Sequence, residues 1–263
     1  MQASSFHITL PSNVKNDYNN WSNSFRTTLP YQISLTGEWE VGLSEIFLPV
    51  SHYNVGNGSE RDRQIGLFVR DGEVPGFVGV TVSAGNYPSI TELTQEINRE
   101  IQTVLKPPNS CTFYVDSITR RTLIVLTNTP TLSLVFLGAE LAYILGFPEN
   151  SAEIEFGESG KAVSPWSSDI SANLTTVYLY TNIIQNQIVG NTQARLLRIV
   201  PINARNFGEI SHKYFERPQF HELACNNFSE IEIELRTETG KLFPIKYGTV
   251  VVQLSFRRKG LRL

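Results

Sequence analysis

Phe228-Ser-Glu-Ile-Glu-Ile-Glu-Leu-Arg-Thr237 and, after a short gap, Thr249-Val-Val-Val-Gln-Leu-Ser-Phe-Arg257 decide how the rest of the chain is read. In the first run Phe228, Ile231, Ile233 and Leu235 form an apolar side, and Glu230, Glu232, Glu234 and Arg236 form a polar one. In the second, Val250, Val252, Leu254 and Phe256 alternate with Val251, Gln253, Ser255 and Arg257. A period of two means extended chain with one face buried. Such strands need ladder partners for their backbone groups and a second layer for their apolar faces, so the remaining sequence must supply both. Between them, Glu238-Thr-Gly240, Pro244 and Gly248 break the pattern.

Working outward, the same alternation recurs in Ser5 to Leu10, Ser24 to Leu35, Trp39 to Leu48 and Gln64 to Arg70, with Pro11, Pro30 and Pro49 marking ends or edges. It returns in Thr175 to Ile184 and Ala194 to Ile202, around the turn Gly190-Asn-Thr-Gln193; Phe207 to Phe215 adds a short extended piece. The major strands thus number about eight, four before residue 75 and four after residue 154. Eight antiparallel strands in two packed sheets make a jelly-roll β-sandwich, and a barrel or another sandwich of equal strand count is the competitor.

The middle of the chain has a different pattern. Ser89-Ile-Thr-Glu92 has the form of a capping box, and Ile90, Leu93, Ile97, Ile101 and Val104 follow at helical spacing up to Pro107. Cys111 to Asp116, Arg121 to Thr127 and Leu132 to Leu137 are short strands, and a second helix over Gly138 to Leu145 is stopped by Gly146-Phe-Pro148. Glu155 to Asn173 has loop character. Residues 75–154 are therefore expected to form an inserted small α+β unit, within a discontinuous jelly-roll domain of residues 1–74 and 155–263.

The chain has 263 residues, 41% of them hydrophobic and 11% aromatic, with a net charge of -3. That suffices for a folded core, and the balance argues against a protein whose main work is coating nucleic acid. Cys111 and Cys225 are expected as free thiols. No signal peptide is expected, since Met1 to Leu10 lacks a basic region followed by an apolar run, and no stretch is long enough to span a membrane.

His7, His52, His212 and His221 fall in no metal spacing. A nucleophile elbow and a phosphate-cradling glycine loop are both missing, so no catalytic, cofactor or metal site is expected. Alternate carboxylates at Glu230, Glu232 and Glu234 share one strand face and are better explained as a solvated or subunit-facing surface. Two stretches suggest contacts instead. Arg257-Arg-Lys-Gly-Leu-Arg262 carries Arg257, Arg258, Lys259 and Arg262, a candidate for docking against an acidic neighbour or nucleic acid, with a solvated tail as the plainer alternative. The loop Asn13 to Trp21 offers Tyr18 and Trp21 as interface anchors.

Taken in order, Gly37-Glu-Trp-Glu-Val-Gly-Leu-Ser-Glu-Ile46 with Pro49, the Tyr87-Pro88 turn leading to Leu93 and Ile97-Asn98, Leu141-Ala-Tyr-Ile-Leu-Gly-Phe147, Leu196 to Pro201 and Ile231 to Arg257 resemble the penton, or minor capsid, proteins of Maverick/Polinton elements, adintoviruses and virophages. The resemblance implies a non-enzymatic capsid protein of the virion, made in the host cell interior. It implies an upright single jelly roll, assembled as a homopentamer at the icosahedral fivefold vertices among trimers of a double jelly-roll major capsid protein. It also implies an inserted domain on the outer side, open to a host receptor or spike. A ring about an axis joins two different faces of each subunit, and Arg26, Glu232 and Glu234 are candidates for that contact. In jelly-roll order, with sheets B-I-D-G and C-H-E-F, Phe228 to Thr237 becomes strand H, between C (Ser24 to Leu35) and E (Gln64 to Arg70). Thr249 to Arg257 becomes strand I, between B (Ser5 to Leu10) and D (Trp39 to Leu48). The rival readings are a carbohydrate- or receptor-binding β-sandwich using Tyr18, Trp21 or the inserted unit, and a hydrolase, which would need the histidines clustered.

Overall fold

The computed structural model describes residues 4–14, 19–69, 76–105, 110–127, 132–149, 154, 156, 159–172, 174–203 and 206–260. The chain divides into two compact units, Met1–His52 with Leu174–Leu263, and Tyr53–Asn173. In chain order the strands of the first part are β1 (Ser5–Pro11), β2 (Ser24–Ser34) and β3 (Trp39–Pro49). Then come β4 (Gln64–Val69), β5 (Gly76–Thr81), α1 (Ile90–Val104), β6 (Ser110–Val115), β7 (Arg121–Thr127), β8 (Leu132–Leu137), α2 (Ala139–Leu145) and β9 (Lys161–Ser167). The chain closes with β10 (Thr176–Thr181), β11 (Gln187–Val189), β12 (Thr192–Ala194), β13 (Leu196–Pro201), β14 (Ile210–Tyr214), β15 (His221–Glu222), β16 (Asn227–Arg236) and β17 (Val251–Arg258).

The first unit is a jelly roll. Its sheets run β1-β17-β3-β14 and β13-β10-β16-β2, antiparallel throughout, with the short β15 also on β3. These are the orders B-I-D-G and F-E-H-C. The two closing strands are therefore not a hairpin. β17 lies between β1 and β3, with Leu254 opposite Ile8 and Leu43, while β16 lies between β10 and β2, with Ile233 opposite Thr181 and Phe25. Their apolar sides meet in one core, where Phe228 and Phe256 have ring centroids 5.8 Å apart across the two sheets. Each fully buried Leu, Ile or Phe there contributes about 1.5–3 kcal/mol over an exposed one. Phe228 is out of phase with Ile231 by one residue, and a register shift between Phe228 and Glu230 returns it to the buried face.

The crossing from β16 to β17 is pinned by Phe243, which is fully buried and whose N–H donates to Leu235 O at 2.8 Å. Gly248 has φ +98°, and a Cβ there would sit 2.7 Å from Pro49 Cβ, so only glycine fits the turn into β17.

One strand assignment is corrected. Strand E is β10, not Gln64 to Arg70: β4 pairs with β5 and β8, and β16 pairs with β10. Three jelly-roll strands thus precede the insertion and five follow it, β14 included. Arg70 itself lies outside the described residues. The second unit is correspondingly wider than residues 75–154, because β4 belongs to its sheet β5-β4-β8 and β9, within the segment expected as loop, pairs with β7 in the sheet β6-β7-β9. Its core forms around Leu93, Ile97 and Ile101 of α1, Phe113 and Ile124 of the second sheet, and Leu141 and Leu145 of α2. Ser89 caps α1, its Oγ accepting from Glu92 N–H at 3.2 Å, and α2 ends at Gly146 with φ +80°.

Candidate functional site

Because the strands alternate, each jelly-roll sheet has an outer face whose side chains the core does not use. On the β13-β10-β16-β2 sheet that face is charged. Arg26 stands between two carboxylates, 3.3 Å from Glu232 and 3.9 Å from Glu230, and Glu234 pairs with Arg236 at 2.8 Å. The register brings this about, with Arg26 directly opposite Glu232 and Ser24 opposite Glu234. All five side chains are partly exposed, so each pair contributes little to stability and remains available to a partner. Beside them, Tyr180, Thr181, Asn182, Arg195, Glu232 and Glu234 line a shallow depression of about 250 Å³. Asn182 orders its rim, its Oδ1 accepting from the Glu232 N–H at 2.9 Å.

The start of the outer edge of β2 is covered by the loop that precedes it. Asn20 Nδ2 donates to Arg26 O at 3.0 Å and Arg26 N–H donates back to Asn20 Oδ1 at 2.9 Å, while Trp21 and Ser24 exchange both backbone bonds at 2.9 and 3.2 Å. An edge strand left open is a template for unwanted pairing, and these contacts cover its start at Ser24 to Arg26. Trp21 is held by its main chain with its indole exposed. Tyr18 lies outside the described residues.

The basic C-terminal run meets carboxylates of its own unit. Arg257 pairs with Glu40 at 3.0 Å and lies over the Phe220 ring, 3.6 Å from its centroid. Lys259 pairs with Glu222, and with Glu38 at 3.6 Å; the Glu222 contact raises its pKa. Arg258 packs its guanidinium against Gly37. Two of these three cations, Arg257 and Lys259, are thus paired with three acids of their own unit. Arg262 lies outside the described residues.

On the β1-β17-β3-β14 sheet the outer face carries the Arg257–Glu40 pair and, further along β3, an aromatic pair. His212 stacks on Phe47 with centroids 4.4 Å apart and hydrogen-bonds Glu45 at 2.8 Å. The segment before β15 crosses this face at Gly42, where a Cβ would sit 2.7 Å from Gln219 O. Gly42 and the edge-covering role of Asn20 were missed in the sequence; a glycine at a polar position inside a strand is the signal that marks close backbone approach.

The four histidines have separate surroundings. His221 Nε2 lies 3.0 Å from Leu197 O, and its pKa is lowered by burial and by the nearby Arg198. His52 is buried edge-on to Phe243, and that burial also lowers its pKa. Among the described residues no group of three or more His, Cys, Asp or Glu could hold a metal. Cys111 and Cys225 are both free; burial pushes the Cys111 thiol up to about 12, whereas Cys225 is exposed. No helix among the described residues is long and apolar enough to cross a membrane. In the second unit, Ser89, Thr91, Asp116, Arg120 and Asp169 border an open cleft of about 460 Å³ at the start of α1.

No family model matches the chain, and no curated protein matches it in sequence. Among solved structures, the crystal structure of the mavirus penton protein is similar over 96% of this chain and 98% of that one, at 11% sequence identity and a TM-score of 0.49. A likeness at that level carries no functional inference; the strand order above defines the fold.

Proposed function

We propose that this protein is a capsid building block of the penton type, assembling as a homopentamer at the fivefold vertices among trimers of a double jelly-roll major capsid protein, and that it does not act as an enzyme. The observation that carries the reading is the complete B-I-D-G and C-H-E-F strand order, interrupted between strands D and E by a separate α+β unit. It is supported by the stretches whose resemblance to pentons was noted in the sequence, which fall on β3, the cap of α1, α2, β13, and β16 to β17. The virion is the corresponding location, with synthesis in the host cell interior.

A ring needs two different surfaces on each subunit, and the two outer sheet faces differ: one carries the Arg26–Glu230–Glu232 cluster, the other the Phe47–His212 stack and the Arg257–Glu40 pair. Arg26, Glu232 and Glu234 are proposed to lie in the subunit contact, with Trp21 as an apolar anchor. Receptor or spike contact is assigned to the inserted unit, where the cleft at the start of α1 offers hydroxyls, two carboxylates and Arg120 to a polar ligand.

Sedimentation equilibrium of the purified protein tests the reading. A five-chain species supports it, and a single-chain species over the whole accessible concentration range overturns it. The charge-reversed variant Glu232→Lys/Glu234→Lys tests the placement of the contact; rings unchanged in that variant remove those residues from the interface.

A further inference from the structure

β7 has one apolar face more than its own unit covers. Leu123-Ile-Val-Leu126 is an unbroken apolar run, the pattern of a strand buried on both faces. One face is buried: Phe113, Ile124 and Ala162 stand in a single cross-strand row, and the first two join the core with Ile97 and Ile101 of α1. The other face is open. The register sets Tyr114, Leu123 and Val163 side by side, with Thr112, Val125 and Lys161 in the next row. Tyr114 is 53% exposed and Val163 57%, and Leu123 and Val125 on the central strand are half-buried. Ile118, in the turn of the β6–β7 hairpin, is 89% exposed.

Charge on this open face has one sign. Arg121 stands on it two residues before Leu123, and Lys161 stands beside Val125. Both are exposed, as is Arg120 in the hairpin turn, and none of the three belongs to an ion pair among the described residues. β6, β7 and β9 contain no Asp or Glu. Asp116, which follows β6, is turned into the hairpin, its Oδ1 accepting from the N–H groups of Ile118 at 3.1 Å and Thr119 at 2.6 Å. On the covered side the balance is reversed, since α1 carries Glu92, Glu96 and Glu100 against Arg99 alone. The charge of the unit is thus polarised across this sheet.

A cover for the open face must accept apolar side chains at its middle and offer negative charge around them. A second copy of the same face fails that requirement, because any face-to-face pairing brings cations together with no carboxylate between them. An anionic bilayer meets it. Its headgroups neutralise Arg120, Arg121 and Lys161, its interface takes Ile118, Val163 and the amphipathic ring of Tyr114, and its field repels the acidic α1 side and so orients the unit.

We propose that the open face of the β6-β7-β9 sheet docks on an anionic lipid surface. This rests on the assignment of external contact to the inserted unit and names what the unit meets; it does not depend on ring formation.

Co-sedimentation of the full chain with vesicles of phosphatidylcholine alone, and of phosphatidylcholine with about one third phosphatidylserine, tests it. The wild type is expected on the anionic vesicles and not on the neutral ones, and to be released between ~0.1 M and ~1 M salt. Each Arg or Lys near such a surface contributes about fivefold in partitioning. Arg121→Glu/Lys161→Glu is therefore expected to bind at least about twentyfold more weakly, and Tyr114→Ser/Val163→Ser about tenfold more weakly at unchanged charge. All four side chains are exposed, so thermal unfolding of both variants is expected to match the wild type. A wild type that stays off the anionic vesicles, or either variant bound as well as the wild type, overturns the proposal. Capture by immobilised polyglutamate without vesicle binding assigns the face to an acidic protein and overturns it too. Sedimentation equilibrium without lipid reads the ring separately, so failure of one reading leaves the other in place.

Discussion

Replacing Asn98 by aspartate is expected to destabilise the inserted unit in a pH-dependent way. Asn98 stands on α1 beside the edge of β6, where its Nδ2 donates to Phe113 O at 2.9 Å and its Oδ1 accepts from Phe113 N–H at 2.7 Å. The carboxamide thus takes the place of a neighbouring strand. An aspartate keeps the acceptor but sets a carboxylate oxygen against the Phe113 carbonyl. Losing one net hydrogen bond costs about 1 kcal/mol, and leaving a partly buried carbonyl unsatisfied adds ~1–2, for a total near ~2–3 kcal/mol at pH 7. The fold disfavours the ionised form of the introduced carboxyl, so its folded pKa lies above the unfolded value of about 3.9. A raised folded pKa confers stability that is present below the unfolded pKa and lost as pH rises through the folded one. The defect is therefore largest at neutral pH, shrinks as pH falls through the folded pKa, and is smallest below about pH 4, where a protonated carboxyl donates to Phe113 O. Asn98→Leu has no such proton and its cost is flat. Urea unfolding at pH 7 and pH 3.5, with amide exchange of Phe113 as the local readout, measures both. Equal pH dependence in the two variants, or a cost below ~0.5 kcal/mol for aspartate at pH 7, would refute the assignment of Asn98 as the cover of this edge.

Gly42→Ala is expected to cost about 1–3 kcal/mol in the jelly-roll unit, because the new Cβ meets backbone at Gln219 O rather than a yielding side chain; a wild-type melting curve would contradict that. Thiol titration should find one reactive group in the native protein, Cys225, and a second only after unfolding, given that Cys111 is buried with its pKa pushed up to about 12. His52 and His221 both have folded pKa values below the ordinary imidazole value. The stability they confer is complete above about pH 6.5 and is lost as pH falls through the folded values. Melting of the jelly-roll unit should accordingly weaken from pH 7 to pH 5, and His52→Phe/His221→Gln should flatten that dependence.

Much of the fold was legible because period-two alternation survives wherever one strand face is wet. Phe228 to Arg236 and Val251 to Arg257 lie on β16 and β17, and Ser89 caps α1 where the spacing places it, although Glu92 accepts from the Ser89 hydroxyl rather than from its backbone N–H. What alternation cannot supply is the partner. Gln64 to Val69 is as good a strand as Thr176 to Thr181, and only the ladders distinguish which joins β16. β9 was hidden for a local reason: Ser164, Pro165 and Ser167 dilute its apolar residues, and Ser164 is buried because its hydroxyl is satisfied, accepting from Thr122 N–H and donating to Trp166 O. On the surface, the charges of Arg26, Glu232 and Glu234 could be assigned to one face from register alone. The cover that Asn20 gives the start of β2 could not, since it depends on how a loop folds back on an edge.

End-on electron-microscopy class averages of the purified wild-type protein test the central claim most directly. Rings of fivefold symmetry are expected; rings of another symmetry, or fields of single particles at every concentration, would contradict the penton reading.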